Sequence, residues 1–410
     1  FVKHHKEFLM KSTGIIAEFN PFHNGHLYHM EQSRERTGSD YLIIIISGDF
    51  TQRGLPAVYR KYMRVRSALL SGADLVLEMP VFGSVAPAAD FADCGVSMLT
   101  ASGAADVLSF GSECGNLQAL EHQAALLSSE TESQSQAVKA ALRSGMSWPK
   151  ARAMAYESLG GISGLPNDIL GIEYLRALKK YSSSMTALTV SRTDPGYHSA
   201  QRNGSFASAY AIRRAIAADD QEFLQAVLPP SHFTSLKEEP CPAVSADDFS
   251  LLYHHRLLTI TKEDLAQTAS MPADLANKLD GERLTFGRTT ELIGRVKDRQ
   301  YTYTRVSRCL TNAMLGITKE DQELFKELNS APWLRILGFR KSASPLLSKM
   351  KKQSSVPIIT KTADARNLLS KTSLRLFEKH LQASEVYRLI CEAKTGQSMK
   401  NEYTRSPIIL

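Results

Sequence analysis

Residues 41–47 read YLIIIIS. An unbroken β-branched run has no polar face to turn to water, so it fits a central strand of a parallel sheet covered by helices on both sides. Four more runs read as strands: TGIIAEF (13–19), ADLVLEMP (73–80), ADVLSFGSE (105–113) and MTALTV (185–190). Helical patterns separate them, from about Asn24 to Arg36, up to Gly72, through APAADFADCGVSMLTASG and across most of 116–180. Such alternation predicts βαβ units with right-handed crossovers, an α/β domain with a Rossmann-like parallel sheet. After the loop SRTDPGYHSAQRNGS, the stretch SFASAYAIRRAIA (205–217) reads as a helix opened by a small polar residue.

Beyond about 220 the strand runs largely give way to helical periodicity, broken by EEPCPAV (238–244). The expected division is an N-terminal α/β domain over 10–230 and a mainly α-helical C-terminal domain over 231–410. Met10 reads as the natural start, with residues 1–9 an upstream extension. The five cysteines (Cys94, Cys114, Cys241, Cys309, Cys391) include no CxxC pair, which argues against a zinc knuckle or disulfide framework and fits a reducing cytoplasm. No apolar stretch approaches the ~20 residues that span a bilayer, so no membrane partner is expected. The opening FVKHHKEFLM lacks the apolar core and cleavage site of a secretory signal. A net charge of +7 is compatible with nucleic acid or with small anions.

The chemistry concentrates in AEFNPFHNGHLYH (17–29), where the first strand ends, turns and opens a helix. In an open α/β sheet, ligands bind beyond the carboxyl ends of strands. A helix N-terminus there offers free N–H groups and a positive dipole end to phosphate. Gly25 removes a side chain where phosphate must approach, and His23 and His26, at i and i+3, project toward the same space. Imidazoles so placed can stabilise charge on phosphoryl oxygens during in-line displacement. His29 extends the set to HxxHxxH, but i+6 rotates off the face, and no Cys or acidic cluster completes a zinc site. There is no GxxxxGK[ST] phosphate loop, nor the Arg/Gln-xx-Gly-x-Gly/Ala loop of acetyl-CoA-dependent acetyltransferases.

A strand followed by (F)xPxHxGH resembles the signature of the nucleotidylyltransferase superfamily, the HIGH-motif relatives of class I aminoacyl-tRNA synthetases. The superfamily's second element, a Ser-rich segment and Ile-Arg opening a late helix, is matched by SAYAIRR, with Ser208, Ile212 and Arg213 in place. Ala209 and Tyr210 replace the usual second Ser and Thr. Together with SGDFTQRGLPAVYRKYMR, GADLVLEMP, FGSE, LPNDILGIEYLRAL and RQYTYTRVSR, these segments resemble the tRNA(Met) cytidine acetate ligase family over essentially the whole chain from residue 10. The resemblance implies an ATP-dependent ligase. It would convert acetate and ATP to acetyl-adenylate, then acetylate N4 of the wobble cytidine of elongator tRNA(Met), with Mg²⁺ accompanying ATP. A small-molecule adenylyltransferase and a non-catalytic ATP- and RNA-binding assembly factor are the rival readings.

The resemblance implies ATP contacts from Ile16, Ala17, Glu18, Phe19, Asn20, Pro21, Phe22, His23, Asn24, Gly25, His26, Leu27, Tyr28 and His29. Gly111, Asn167, Arg192, Ser208 and Arg213 join them at later strand and helix ends. Catalytic roles fall to His23, His26, Arg213 (toward the β- and γ-phosphates) and Lys61, as a point charge near the phosphates unless it lies on an exposed basic face. Asp49 departs from the family pattern and either holds Mg²⁺ or caps its turn.

Between 285 and 360 stand 14 Lys/Arg against 6 Asp/Glu, an excess as large as that of the whole chain. Arg295, Lys297, Arg299, Arg305 and Arg308 interleave with Tyr301 and Tyr303. Cations contact phosphates and tyrosines stack on splayed bases, the mode by which single-stranded RNA loops are read. With the resemblance, this segment is expected to bind the tRNA anticodon loop, and FRKSASPLLSKMKKQ (339–353) to continue its basic stripe. Trp333, amid apolar spacing, is expected in the core.

Overall fold

The computed structural model describes residues 10–129, 132–146, 148–155, 161, 163–192 and 206–410. Its sheet is built from β1 (Ser12–Ala17), β2 (Tyr41–Ser47), β3 (Leu75–Met79), β4 (Val107–Ser112), β5 (Thr186–Ser191), β6 (Leu334–Phe339), β7 (Ile358–Ile359) and β8 (Ile408–Ile409). The order is β5-β4-β1-β2-β3-β6-β7, with β8 paired to β6. Strands β1 to β5 pair in parallel, in register from Ser12 opposite Tyr41 to Ala17 opposite Ile46 across β1 and β2.

The β2 run has no polar face because both faces are covered. Ile43 and Ile45 point into one core layer with Phe91, Ala92, Val96 and Leu99 of the helix Ala88–Ser102. Leu42, Ile44 and Ile46 alternate into the other, with Met30 of the helix Asn24–Thr37 and Val65 and Leu69 of the helix Lys61–Leu70. Each such side chain contributes about 1.5–3 kcal/mol on burial. From β1 the chain winds through β2 and β3 in one direction and through β4 and β5 in the other. The switch point, where a crevice opens at the carboxyl ends, therefore lies between β1 and β4.

The second half of the chain is mostly helical, as expected, but it also completes the sheet. β6 runs antiparallel to β3, pairing Glu78 with Arg335, and β7 and β8 follow it. Trp333, fully buried beside Phe377, is a core residue. The basic stretch 339–353 does not extend the 295–308 stripe. Arg340 N–H donates to Asp74 O just before β3, and Lys349 Nζ lies 3.4 Å from Asp106 Oδ1 just before β4. These contacts place it at the amino ends of the strands, across the sheet from the crevice.

Candidate functional site

The HxGH turn sits at the carboxyl end of β1. Phe19 takes φ 48°, a left-handed conformation uncommon for a non-glycine residue. Its ring packs edge-on against Phe22 at 4.9 Å and His26 at 4.8 Å, so the aromatic residues of the motif staple the turn. His23 is the N-cap of the helix Asn24–Thr37. Its Nδ1 accepts from Gly25 N–H at 3.1 Å, and His26 Nδ1 accepts from His23 N–H at 3.3 Å. An imidazole whose Nδ1 accepts carries its proton on Nε2. The cap thus fixes the tautomer of both rings, which stack at 3.7 Å.

Burial, then the positive charges of Arg192 and Arg213, lower the His23 pKa to about 3. Burial and the neighbouring His23 hold His26 well below the usual range. Burial and Arg192 bring His29 to about 4, and its Nε2 is 3.1 Å from Ser109 Oγ of β4. All three are neutral at pH 7, so His23 and His26 act as N–H donors rather than cations.

These side chains line a cleft of about 1700 Å³. Of the sequence-expected set, Ile16, Ala17, Glu18, Phe19, Asn20, His23, Gly25, His26, Tyr28, His29, Gly111, Asn167, Arg192 and Arg213 all line it. Pro21, Phe22, Asn24, Leu27 and Ser208 do not; they hold the turn and its helices. Phe22 is fully buried, Asn24 Nδ2 donates to Ala226 O at 3.2 Å, and Ser208 caps the helix Ala209–Ala217 by accepting from Ala211 N–H at 3.2 Å. Arg213 Nη1 donates to Asn20 O at 2.8 Å, bracing the turn. Asn167 Nδ2 donates to Glu113 Oε1 at 2.7 Å, which leaves its carbonyl oxygen as the acceptor. A Cβ on Gly111 would make ordinary contacts only, with Arg192 Cγ at 3.4 Å, Arg192 Cδ at 3.7 Å and Val190 O at 3.8 Å, so the protein by itself does not demand glycine here. The loop SRTDPGYHSAQRNGS lies outside the described residues from 193 to 205.

Lys61 neither lines the cleft nor lies on an exposed face. Its ammonium is fully buried, 2.7 Å from Glu78 Oε1 and 3.0 Å from Glu402 Oε2. Arg335 bridges the same two carboxylates at 2.7 Å each, and Arg60 reaches Glu402 at 3.3 Å. Sequence reasoning missed this because Glu402 and Arg335 are distant in the chain. Asp49 caps: its Oδ1 accepts the Lys61 backbone N–H at 2.8 Å.

The opposite wall of the cleft comes from the C-terminal half. The helix Tyr303–Met314 presents Tyr303, Arg305 and Arg308 to it, with Gln300 and Thr302 beside its N-terminus. Tyr301 is not a stacking platform; it is 3% exposed, and its hydroxyl donates to Asp274 Oδ2 at 2.5 Å. Arg295, Lys297 and Arg299 are exposed outside the cleft, Arg295 being paired with Glu282 at 2.8 Å. Arg53 and Gln52, in the loop after β2, also line the cleft. Their place at a strand's carboxyl end is the signal that could have found them. Among the described residues, no group of three His, Cys, Asp or Glu is arranged to hold a metal ion.

A switch-point cleft opened by this turn is that of a nucleotidyl transferase, and the family model described as HIGH Nucleotidyl Transferase matches residues 10–402. The chain is 34% identical to the tRNA(Met) cytidine acetate ligase of Acetivibrio thermocellus, over 98% of this chain and 100% of that protein. It is 38% identical to that of Thermoanaerobacter pseudethanolicus, over 93% and 95%. The chain belongs to the tRNA(Met) cytidine acetate ligase family. In structure it is similar to the crystal structure of Thermotoga maritima TmcAL (apo, form I), with TM-score 0.91, 28% identity and coverage of 98% and 100%. TmcAL bound with alpha-thio ATP matches with TM-score 0.89, 27% identity and the same coverage.

Proposed function

We propose that this protein is an ATP-dependent ligase that acetylates N4 of the wobble cytidine of elongator tRNA(Met), acting in the cytoplasm on the anticodon loop. The observation that carries this reading is one continuous cleft with a neutral His23–His26 pair on one wall and Arg305 and Arg308 on the other. An acetate oxygen attacks the α-phosphorus of ATP in line. The bond to the bridging oxygen breaks, and pyrophosphate leaves. Acetate is already a carboxylate at pH 7 and needs no base, so positioning and charge stabilisation supply the rate. His23 and His26 donate Nε2–H to the phosphoryl oxygens, and Arg213 supplies fixed positive charge. Mg²⁺ would accompany ATP and offset charge on the triphosphate. The cytidine amine then attacks the acetyl carbon of the mixed anhydride, the C–O bond breaks, AMP leaves, and the amine gives up a proton. Arg305 and Arg308 hold phosphates beside the splayed cytidine.

Incubating the protein with ATP, isotopically labelled acetate and bulk tRNA, then analysing nucleosides by mass spectrometry, tests both steps. Label is expected in N4-acetylcytidine. His26→Ala is expected to lower adenylate formation by about 10²-fold or more while leaving tRNA binding nearly unchanged. Acetate-dependent pyrophosphate release without label in tRNA would retain adenylation and discard the tRNA step.

A further inference from the structure

The two walls of the cleft meet at one glycine. The loop after β2, TQRGLP (51–56), closes on itself through Thr51 N–H to Leu55 O at 2.9 Å and Gly54 N–H to Thr51 O at 2.8 Å. On its nucleotide side it is tied to the HxGH turn. Gln52 N–H donates to Glu18 Oε1 at 2.6 Å, and Val58 N–H to Asn20 Oδ1 at 2.7 Å. On its other side it lies against the helix Tyr303–Met314. Ser307 Oγ and Thr311 Oγ1 both donate to Gly54 O, at 2.6 and 2.7 Å, and Arg308 Nη1 reaches Gln52 O at 3.3 Å.

That contact requires glycine twice over. Gly54 takes φ +71°, the left-handed region, and a Cβ there would stand 2.3 Å from Arg308 N and 2.5 Å from Arg308 Cα. These are backbone atoms, which a rotamer change cannot move aside. A side chain at 54 must therefore separate the loop from the helix. The loop is held to the sheet by Glu18, Asn20 and the Ala57 N–H to Asp49 O bond at 2.9 Å, so a side chain at 54 changes the spacing between that anchored loop and the helix.

We propose that Gly54 is a positioning residue for acetyl transfer: its bare backbone seats the TQRGLP loop on the Tyr303–Met314 helix and so fixes Arg305 and Arg308 across the cleft from the HxGH turn. The inference rests on the function proposed above. It predicts that the two half-reactions separate. Adenylation uses the wall that the loop is tied to; transfer needs both walls at a set spacing.

The test measures acetate-dependent exchange of labelled pyrophosphate into ATP, single-turnover transfer from enzyme-bound acetyl-adenylate to tRNA, and tRNA affinity. Wild-type protein, Gly54→Ala, Gly54→Val and the double variant Ser307→Ala/Thr311→Val are compared. For Gly54→Val, exchange is expected to stay within about twofold while transfer falls at least about tenfold and tRNA binds more weakly. Gly54→Ala should follow in the same direction. The double variant, which adds no atoms at 54, should show the same split with a smaller loss even if the glycine variants fold poorly. Equal losses in exchange and transfer, or unchanged transfer, would overturn the proposal. Wild-type protein that exchanges pyrophosphate but acetylates no tRNA would overturn the proposed function itself, and is recognised before any variant is made.

Discussion

His23 combines three duties in one ring: it caps a helix, fixes a tautomer and faces the cleft. Its Nδ1 accepts from Gly25 N–H, and only 2% of the residue is exposed. The neutral form that burial enforces has a measurable cost. The folded pKa is about 3 against 6.5 unfolded, so between those values the unfolded chain binds the extra proton. Stability therefore rises with pH through that window and levels off above it. At pH 5 the His23 contribution should be about 2 kcal/mol below its value at neutral pH. Urea unfolding at pH 5 and pH 7 checks this. His23→Asn keeps a capping acceptor but does not titrate, so the difference between the two pH values should shrink by that amount; an unchanged difference would show that His23 is not the group responsible.

At the scale of elements, the carboxyl ends of β1 and β2 are gathered by one buried guanidinium. Arg64, fully buried, donates to Tyr59 O at 2.9 Å, Glu18 O at 2.6 Å, Ser47 O at 3.1 Å and Gly48 O. Carbonyls that leave a strand end or turn sharply have no ladder partner, and here one side chain supplies them. Arg64→Met keeps much of the volume and strips four acceptors of their donor. It should cost about 3 kcal/mol or more, read as a lower urea midpoint, and should loosen the turn that carries His26. Arg64 stands in YRKYMR beside Lys61. From sequence Lys61 in this segment reads either as a point charge near the phosphates or as part of an exposed basic face, because nothing local distinguishes a cation bound for ligand or solvent from one that serves buried carbonyls or carboxylates.

At the scale of the whole molecule, the two halves of the chain share a sheet and a charge cluster. Glu78 on β3, Arg335 on β6, Lys61 and Glu402 are all at most 4% exposed. Breaking a buried pair by removing one partner costs about 3–5 kcal/mol, since the other charge stays desolvated. A chain ending at residue 230 loses β6, Arg335 and Glu402 together. It should fail to fold alone, giving a protease-sensitive product without a cooperative urea transition, whereas the full chain should unfold without an early transition of either half. A stable, cooperatively folding 10–230 fragment would contradict this.

Much of the N-terminal half is legible in the sequence because its signals are local: a β-branched run has no polar face, and a strand that runs into an Asn-Pro break and HNGH reads as one that ends, turns and opens a helix. That locates the His23–Gly25–His26 turn, and the cleft has room for Gly111, Asn167, Arg192 and Arg213 where strand ends converge. The sequence cannot say which cations serve ligand and which serve the fold. Lys61 turned inward because Glu78 and Glu402 reach it from strands and tails far apart in the chain, and Tyr301 turned inward to Asp274. The split of the basic residues between opposite ends of the strands was likewise decided by β6, whose antiparallel pairing sends residues 340–353 to the amino ends and leaves Arg305 and Arg308 at the carboxyl ends. Local pattern determines what each segment is. Long-range pairing of strands and charges determines what each segment faces.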